Sequence, residues 1–234
     1  MKEVELIGSA LLRYSNPGGE METTDGSVWA WGKKGRPVAL AAIFFQRLPK
    51  GEEKWSCELL SLSNEPVGVQ AKPSWKWAPP RSDIQFLPVP NAPEVADNEA
   101  GRNREMKELA RRFHVSETFD EGKTDHLRLM IRALHRYADP EKGLINGAIY
   151  AFAAGTNPEA LLLLEARADD RGRGKWSFGL ARMGAASCQA KLDDKVVWEC
   201  TPIDVWDNRE PYYSMFGTGA TVFGSMTETE EPAR

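Results

Sequence analysis

Histidine and cysteine are scarce, with three of each in 234 residues. A protein metal site draws several His, Cys, Asp or Glu at short spacing. His114, His126 and His135 form no HxH or HExxH pattern, so no metal ligand is assigned. Cys57, Cys188 and Cys200 form no CxxC, and their odd number suggests no disulfide framework. Cys188 and Cys200 would pair if adjacent strands brought them together; buried free thiols are the simpler reading. The redox compartment is left open. Positive charge is not in excess either: 30 Lys and Arg against 34 Asp and Glu give a net charge of -4. That balance lacks the clustered basic footprint of a nucleic-acid binder. The longest apolar run, Val38 to Phe45, is of strand length and falls far short of the roughly 18 residues of a membrane span. No basic start followed by an apolar stretch marks a signal peptide. The expectation is a soluble protein, either cytoplasmic or exported with its signal removed.

Catalytic signatures are missing as well. There is no GxSxG. Gly217-Thr218-Gly219 lacks the third glycine and the lysine of a phosphate loop, and reads as part of a flexible tail. Cys57 sits among apolar residues, where a thiol keeps a high pKa and stays inert. No catalytic residue and no cofactor is therefore assigned.

What is present is an internal duplication of about 75 residues. Arg13-Tyr14-Ser15-Asn16-Pro17 matches Arg136-Tyr137-Ala138-Asp139-Pro140. Gly26 to Trp31 matches Gly147 to Phe152, Pro37 matches Pro158, and Lys54-Trp55-Ser56 matches Lys175-Trp176-Ser177, each 121 residues apart. Gln70-Ala71-Lys72 matches Gln189-Ala190-Lys191, and Trp77 matches Trp198. The offsets drift only where loops should absorb insertions.

Each copy reads as a β-meander. Asn16 and Asp139 precede proline, which ends a strand and starts a turn. Val28 and Ala30 alternate with Trp29 and Trp31, as Ile149 and Ala151 do with Tyr150 and Phe152; period two with aromatics is a strand. The apolar runs Val38 to Phe45 and Ala160 to Leu164 suit central strands covered on both faces. Further strands are predicted from Trp55 and Trp176, over Val67 to Ala71 and Ser187 to Leu192, and around Trp77 and Trp198. Short connections make neighbours antiparallel. Asp125 to His135 and its counterpart Leu6 to Leu12 are also read as strands.

Between the copies, Pro73, Pro79, Pro80, Pro88, Pro90 and Pro93 exclude regular interior structure, leaving a short edge strand at Ile84 to Leu87. Asp97 or Asn98 then caps a helix whose apolar stripe is Met106, Leu109, Ala110 and Phe113. The predicted fold is thus α+β: two tandem antiparallel β-meander repeats with a pseudo-twofold relation and one amphipathic helix between them. Linear boundaries follow: repeat 1 over 1–80, connector and helix over 81–116, repeat 2 over 117–216, and a disordered acidic tail over 217–234.

The duplication also sorts residues. Positions kept in both copies, such as Tyr14/Tyr137, Trp55/Trp176 and Trp77/Trp198, read as scaffold. Charges found in one copy are freer to serve function. Glu165 and Arg167 share a strand face, and Arg182 on the next strand would face Glu165. A cross-strand ion pair is the plainer reading of this set; a patch binding a small anionic or carboxylate ligand is the sharper one.

Leu12 to Pro17, Gly35-Arg36-Pro37, Met106 to Phe113, Arg136 to Pro140, Gly143 to Tyr150, Gly155 to Glu159, Glu165-Ala166-Arg167 and Glu210-Pro211-Tyr212-Tyr213 together resemble an uncharacterised paralogous family abundant in planctomycete bacteria. The resemblance runs to about Phe216. It carries no established activity, hence no catalytic residues, and some relatives carry export signals. Three functions remain in view. The favoured one is a non-enzymatic binding or interaction module for an unknown protein or small ligand. The others are a hydrolase or transferase with a site between the repeats, and a self-associating structural protein or homodimer using open sheet edges.

Overall fold

The computed structural model describes residues 2–16, 22–47, 51–71, 75–118, 122–203, 207–216 and 226–228. In chain order these form β1 (Lys2–Glu3), β2 (Leu12–Asn16), β3 (Glu22–Trp31), β4 (Ala39–Arg47), β5 (Glu53–Ser61), β6 (Val67–Ala71), β7 (Trp75–Trp77) and β8 (Leu87–Pro88). Helix α1 (Glu99–Ala110) follows, then β9 (Phe113–Thr118), β10 (Thr124–Asp139), a 3₁₀ turn (Pro140–Lys142), β11 (Leu144–Ala154), β12 (Asn157–Ala168) and β13 (Gly174–Arg182). The chain ends with β14 (Ser187–Leu192), β15 (Lys195–Cys200), β16 (Tyr212–Phe216) and β17 (Met226–Glu228). All strand pairings are antiparallel among the described residues, and with the one α-helix the class is α+β.

The chain divides into two compact units, but not along the linear boundaries read from the sequence. The first holds Met1–Lys33, Pro37–Asp83 and Asp204–Arg234; the second holds Lys34–Arg36 and Ile84–Ile203. The connector and helix therefore belong with the second unit. The stretch after residue 203 returns to the first, because β16 pairs with β5 there. Met226–Glu228, expected in a disordered tail, forms a strand between β1 and β6. The other residues of 217–234 lie outside the described residues.

The first unit has a five-stranded sheet, ordered β16-β5-β4-β3-β2, and a four-stranded sheet, ordered β1-β17-β6-β7. Ala39, Ala41, Cys57 and Leu59 of the first sheet pack with Val67, Val69 and Trp77 of the second. Trp77 is fully buried, and its indole N–H donates to the Glu210 carbonyl at 3.0 Å. Trp55 departs from its scaffold reading. It is 45% exposed near the start of β5, on the face it shares with Cys57 and Leu59 but beyond the core, and it meets Phe45 across the strand pair in a tilted ring contact at 5.1 Å. The strand expected over Leu6 to Leu12 reduces to one bridge, Leu6 to Trp31, before β2 begins. Gly8 and Ser9 in that stretch pack poorly on a pleated surface, which accounts for the gap.

The second unit is one eight-stranded sheet, ordered β15-β14-β9-β10-β11-β12-β13-β8. The 16-residue β10 pairs first with β9 and then with β11, so the sheet runs on through it. Its inner face holds a core drawn from β9 through β14 and from α1. Asn98 caps α1 by accepting from the Gly101 N–H at 2.8 Å. Met106, Leu109 and Ala110 are buried in this core, and burying each of the two larger side chains stabilises by about 2–3 kcal/mol. Phe113, assigned to the helical stripe from its spacing, instead opens β9; it still enters the same core. Leu161 to Leu164 are fully buried, so both faces of β12 are covered, as its unbroken apolar run requires.

One packing device occurs in both units. Tyr14 lies opposite Gly26, and Tyr137 opposite Gly147. A side chain at either glycine would enter the tyrosine ring. The glycines are therefore needed for close approach, and their tyrosines cover the strand where a side chain is missing. Replacing Gly147 with alanine should cost about 2–4 kcal/mol, through overpacking and loss of the Tyr137 hydrogen bond described below. Urea denaturation measures this. A loss under about 0.5 kcal/mol would mean that the ring is not locked.

Candidate functional site

The second unit places two of the three charges singled out above in one cluster. Glu165 on β12 is fully buried. Its Oε1 accepts from the Tyr137 hydroxyl at 3.0 Å, and its Oε2 from Arg167 Nε at 2.7 Å. Arg36, carried into this unit by the Lys34–Arg36 segment, brings Nε to 3.6 Å from Oε1 and lays its guanidinium over the Phe86 ring at 4.6 Å. A carboxylate removed from water needs such charged and hydrogen-bonded partners. Burial, reinforced by the charge of Glu165, holds the Tyr137 phenol well above its usual pKa, so it remains a donor. The carboxylate's partners are all side chains of the same unit, so the cluster holds itself together. Tyr137 was not marked as a partner from sequence because it is a repeated residue read as scaffold, and Arg36 because it lies in the turn before Pro37, far along the chain from Glu165.

Arg182 is elsewhere, which corrects the expected pairing with Glu165. In the β12–β13 register, Arg182 lies opposite Ala160, while Glu165 lies opposite Ser177. Arg182 instead reaches the ends of β14 and β15. Its Nη2 donates to Cys200 Sγ at 2.8 Å, to the Ala186 carbonyl at 3.2 Å and to the Thr201 carbonyl.

There it meets a row of polar side chains built by register alone. Leu127, Val115, Ala190 and Trp198 lie in line across β10, β9, β14 and β15, all in or against the core. Two residues further along each strand, on the same face, the row becomes Asp125, Glu117, Cys188 and Cys200. The apolar core thus ends in a carboxylate pair and a dithiol. Cys188 is 4% exposed and Glu117 1% exposed, while Cys200 is partly accessible. An open groove of about 400 Å³ lies at this end of the sheet, with Cys188, Cys200, Thr118, Gln189 and Glu199 among its lining residues.

The electrostatics distinguish the two thiols. Hydrogen bonding from Cys188, then the Arg182 contact and its charge, lower the Cys200 pKa despite burial. The same bond to Cys200, with burial and the charge of Cys200, raises the Cys188 thiol. Glu117 is pushed up to about 7 by burial and by Asp125, and its Oε2 has no hydrogen-bond partner. Cys57 in the first unit behaves differently: burial raises it to about 12, as expected of an inert core thiol. No protein-family model, curated protein or solved structure matches the chain. Among the described residues, no group of three or more His, Cys, Asp or Glu is placed to hold a metal ion. No helix among them is long and apolar enough to cross a membrane.

In chemical terms the row offers a partly exposed thiol whose ionised form is favoured, a second thiol directly across from it, and a buried carboxyl beside that thiol. A thiolate and its resolving thiol are the parts needed for disulfide exchange. The sequence held one signal for the pair. The acidic dipeptide Asp193-Asp194 between Cys188 and Cys200 forms a hairpin turn, with φ of 48° and 65°.

Proposed function

We propose that this protein exchanges thiols with disulfides through Cys200 and Cys188, within a fold otherwise suited to binding. The observation that carries this reading is Cys200 Sγ, 2.8 Å from the Arg182 guanidinium, in register with Cys188 and on a partly exposed residue. Cys200 is the attacking thiolate, and Arg182 is a positioning residue that favours its charge. The thiolate attacks one sulfur of a substrate disulfide, RS–SR, and RS⁻ leaves and takes a proton from water. Cys188 then gives up its proton and attacks Cys200 Sγ, releasing the second RS⁻, which is also protonated. The protein dithiol loses two electrons and two protons, and the substrate becomes two thiols. The direction of net flow follows the partner's potential.

The matched strand order and the Tyr–Gly pairs of the two units support descent from one duplicated unit. The sequence resemblance supports a bacterial origin in the planctomycete family. Only the second copy carries the dithiol.

The test is incubation of the reduced protein with glutathione disulfide, followed by intact-mass analysis. The expected result is an internal disulfide in the unaltered chain, a trapped glutathione adduct in Cys188→Ser, and neither in Cys200→Ser. A Cys200→Ser chain that still takes up glutathione at Cys188 would reverse the roles. A pair that stays oxidised in the most reducing thiol buffers would be a structural staple, and would sink the exchange reading.

A further inference from the structure

Glu117 has no part in the exchange steps, yet it is buried beside the dithiol. It is a carboxyl buried to 1% exposure, with one oxygen lacking any hydrogen-bond partner. Burying such a group unpaired costs free energy, and neutral protonation is the usual relief. Its position is set by register: it lies directly opposite Cys188 on β9, as Cys200 does on β15. Opposed side chains on one sheet face approach to about 5 Å at Cβ, within reach of a carboxylate and a thiol.

We propose that Glu117 is the proton acceptor for Cys188 in the resolving step of exchange. This rests on the thiol-exchange reading and gives the second step its base. Cys188 needs one, because its thiol is held protonated by its surroundings and the first step converts Cys200 into a neutral mixed disulfide. Once Cys200 has lost its charge, Arg182 faces no thiolate. Transfer of the Cys188 proton to the Glu117 carboxylate then creates a new thiolate beside that guanidinium. Cys188 attacks Cys200 Sγ, the bond to the substrate sulfur breaks, and the protonated Glu117 is left next to a closed disulfide. The titratable groups that face Glu117 in register are Asp125 from β10 and Cys188 from β14; Cys200 from β15 and Arg182 from β13 lie beyond Cys188. Asp125 and burial together keep the carboxyl basic enough, near neutrality, to take a thiol proton.

The test is a time course of reduced full-length protein with glutathione disulfide, quenched in acid and resolved by mass into reduced, mixed-disulfide and internal-disulfide forms at several pH values. In the unaltered chain, resolution should quicken with pH through an inflection near neutrality, as Glu117 becomes a carboxylate. In Glu117→Gln, the mixed disulfide on Cys200 should form at the normal rate. Its resolution should slow by about 10- to 100-fold and lose that inflection. Resolution of Glu117→Gln at the normal rate, with the inflection kept, overturns the assignment to Glu117 and leaves exchange standing. An unaltered chain that forms neither species overturns exchange and Glu117 together. A second readout needs no variant. Oxidation of the unaltered protein should shift a carboxylic-acid band in its infrared difference spectrum, and an unchanged carboxyl region would also overturn the assignment.

Discussion

Replacing Glu165 with alanine should cost the second unit about 3–5 kcal/mol, a large share of the stability of a domain this size. The loss comes less from a missing attraction than from what is stranded. Arg36 and Arg167 lose the carboxylate that faces them, and the buried Tyr137 hydroxyl loses its acceptor. An uncompensated buried guanidinium must draw in water or move its strand. Glu165→Gln keeps an acceptor for Tyr137 but removes the charge, so its cost should be smaller, about 1–3 kcal/mol. Hydrogen exchange of the β11–β13 amides, alongside urea unfolding, would localise the effect. If Glu165→Ala unfolds within about 1 kcal/mol of the parent, the cluster is not what holds this part of the sheet.

Arg182→Met should have the largest effect on chemistry. The residue stabilises negative charge on Cys200 directly, and its remaining bonds tie down the carbonyls of Ala186 and Thr201 at the ends of β14 and β15. Removing it leaves the Cys188 hydrogen bond, the leading cause of the lowered pKa, but no counter-charge. The Cys200 pKa should rise toward that of an ordinary thiol, of which only about 3% is ionised at neutral pH. Alkylation by iodoacetamide at neutral pH should fall about 10-fold, with its pH profile displaced upward. The dithiol should also become harder to keep reduced, because a stabilised thiolate is what favours the reduced form. Arg182→Lys should restore part of the rate, since it keeps charge but cannot reach three acceptors in one plane. Alkylation unchanged in rate and profile would remove Arg182 from the scheme.

Some of this was written locally in the chain. Alternation at Val28 to Trp31 and at Ile149 to Phe152 fixed strands. The helix cap at Asn98 and the buried run at Leu161 to Leu164 also follow from rules that act over a few residues. The edge strand expected over Ile84 to Leu87 is instead the two residues Leu87–Pro88, kept short by Pro88 and Pro90, because proline cannot donate to a ladder. The paired charges Glu165 and Arg167 were visible for the same reason: two residues apart on one strand, they share a face.

Partnership across the sheet was not legible, because it depends on register, and a slip of one residue turns each side chain to another neighbour. Arg182 was expected to face Glu165 because it lies on the next strand, but the β12–β13 register sets it opposite Ala160, and its side chain reaches Cys200. The cysteine pair turns on a still finer detail. Counting outward from the Asp193-Asp194 turn, Leu192 pairs with Lys195 and Lys191 with Val196. Continued without interruption, that count would set Cys188 against Glu199. A bulge between Ala190 and Lys191 inserts one residue, and beyond it Ala190 meets Trp198 and Cys188 meets Cys200. The sequence by itself determined that this chain has a hairpin there, with a cysteine on each arm. Only the tertiary structure decided that the two sulfurs meet, because Trp198 turns inward against the core and the strand must bulge to let it do so.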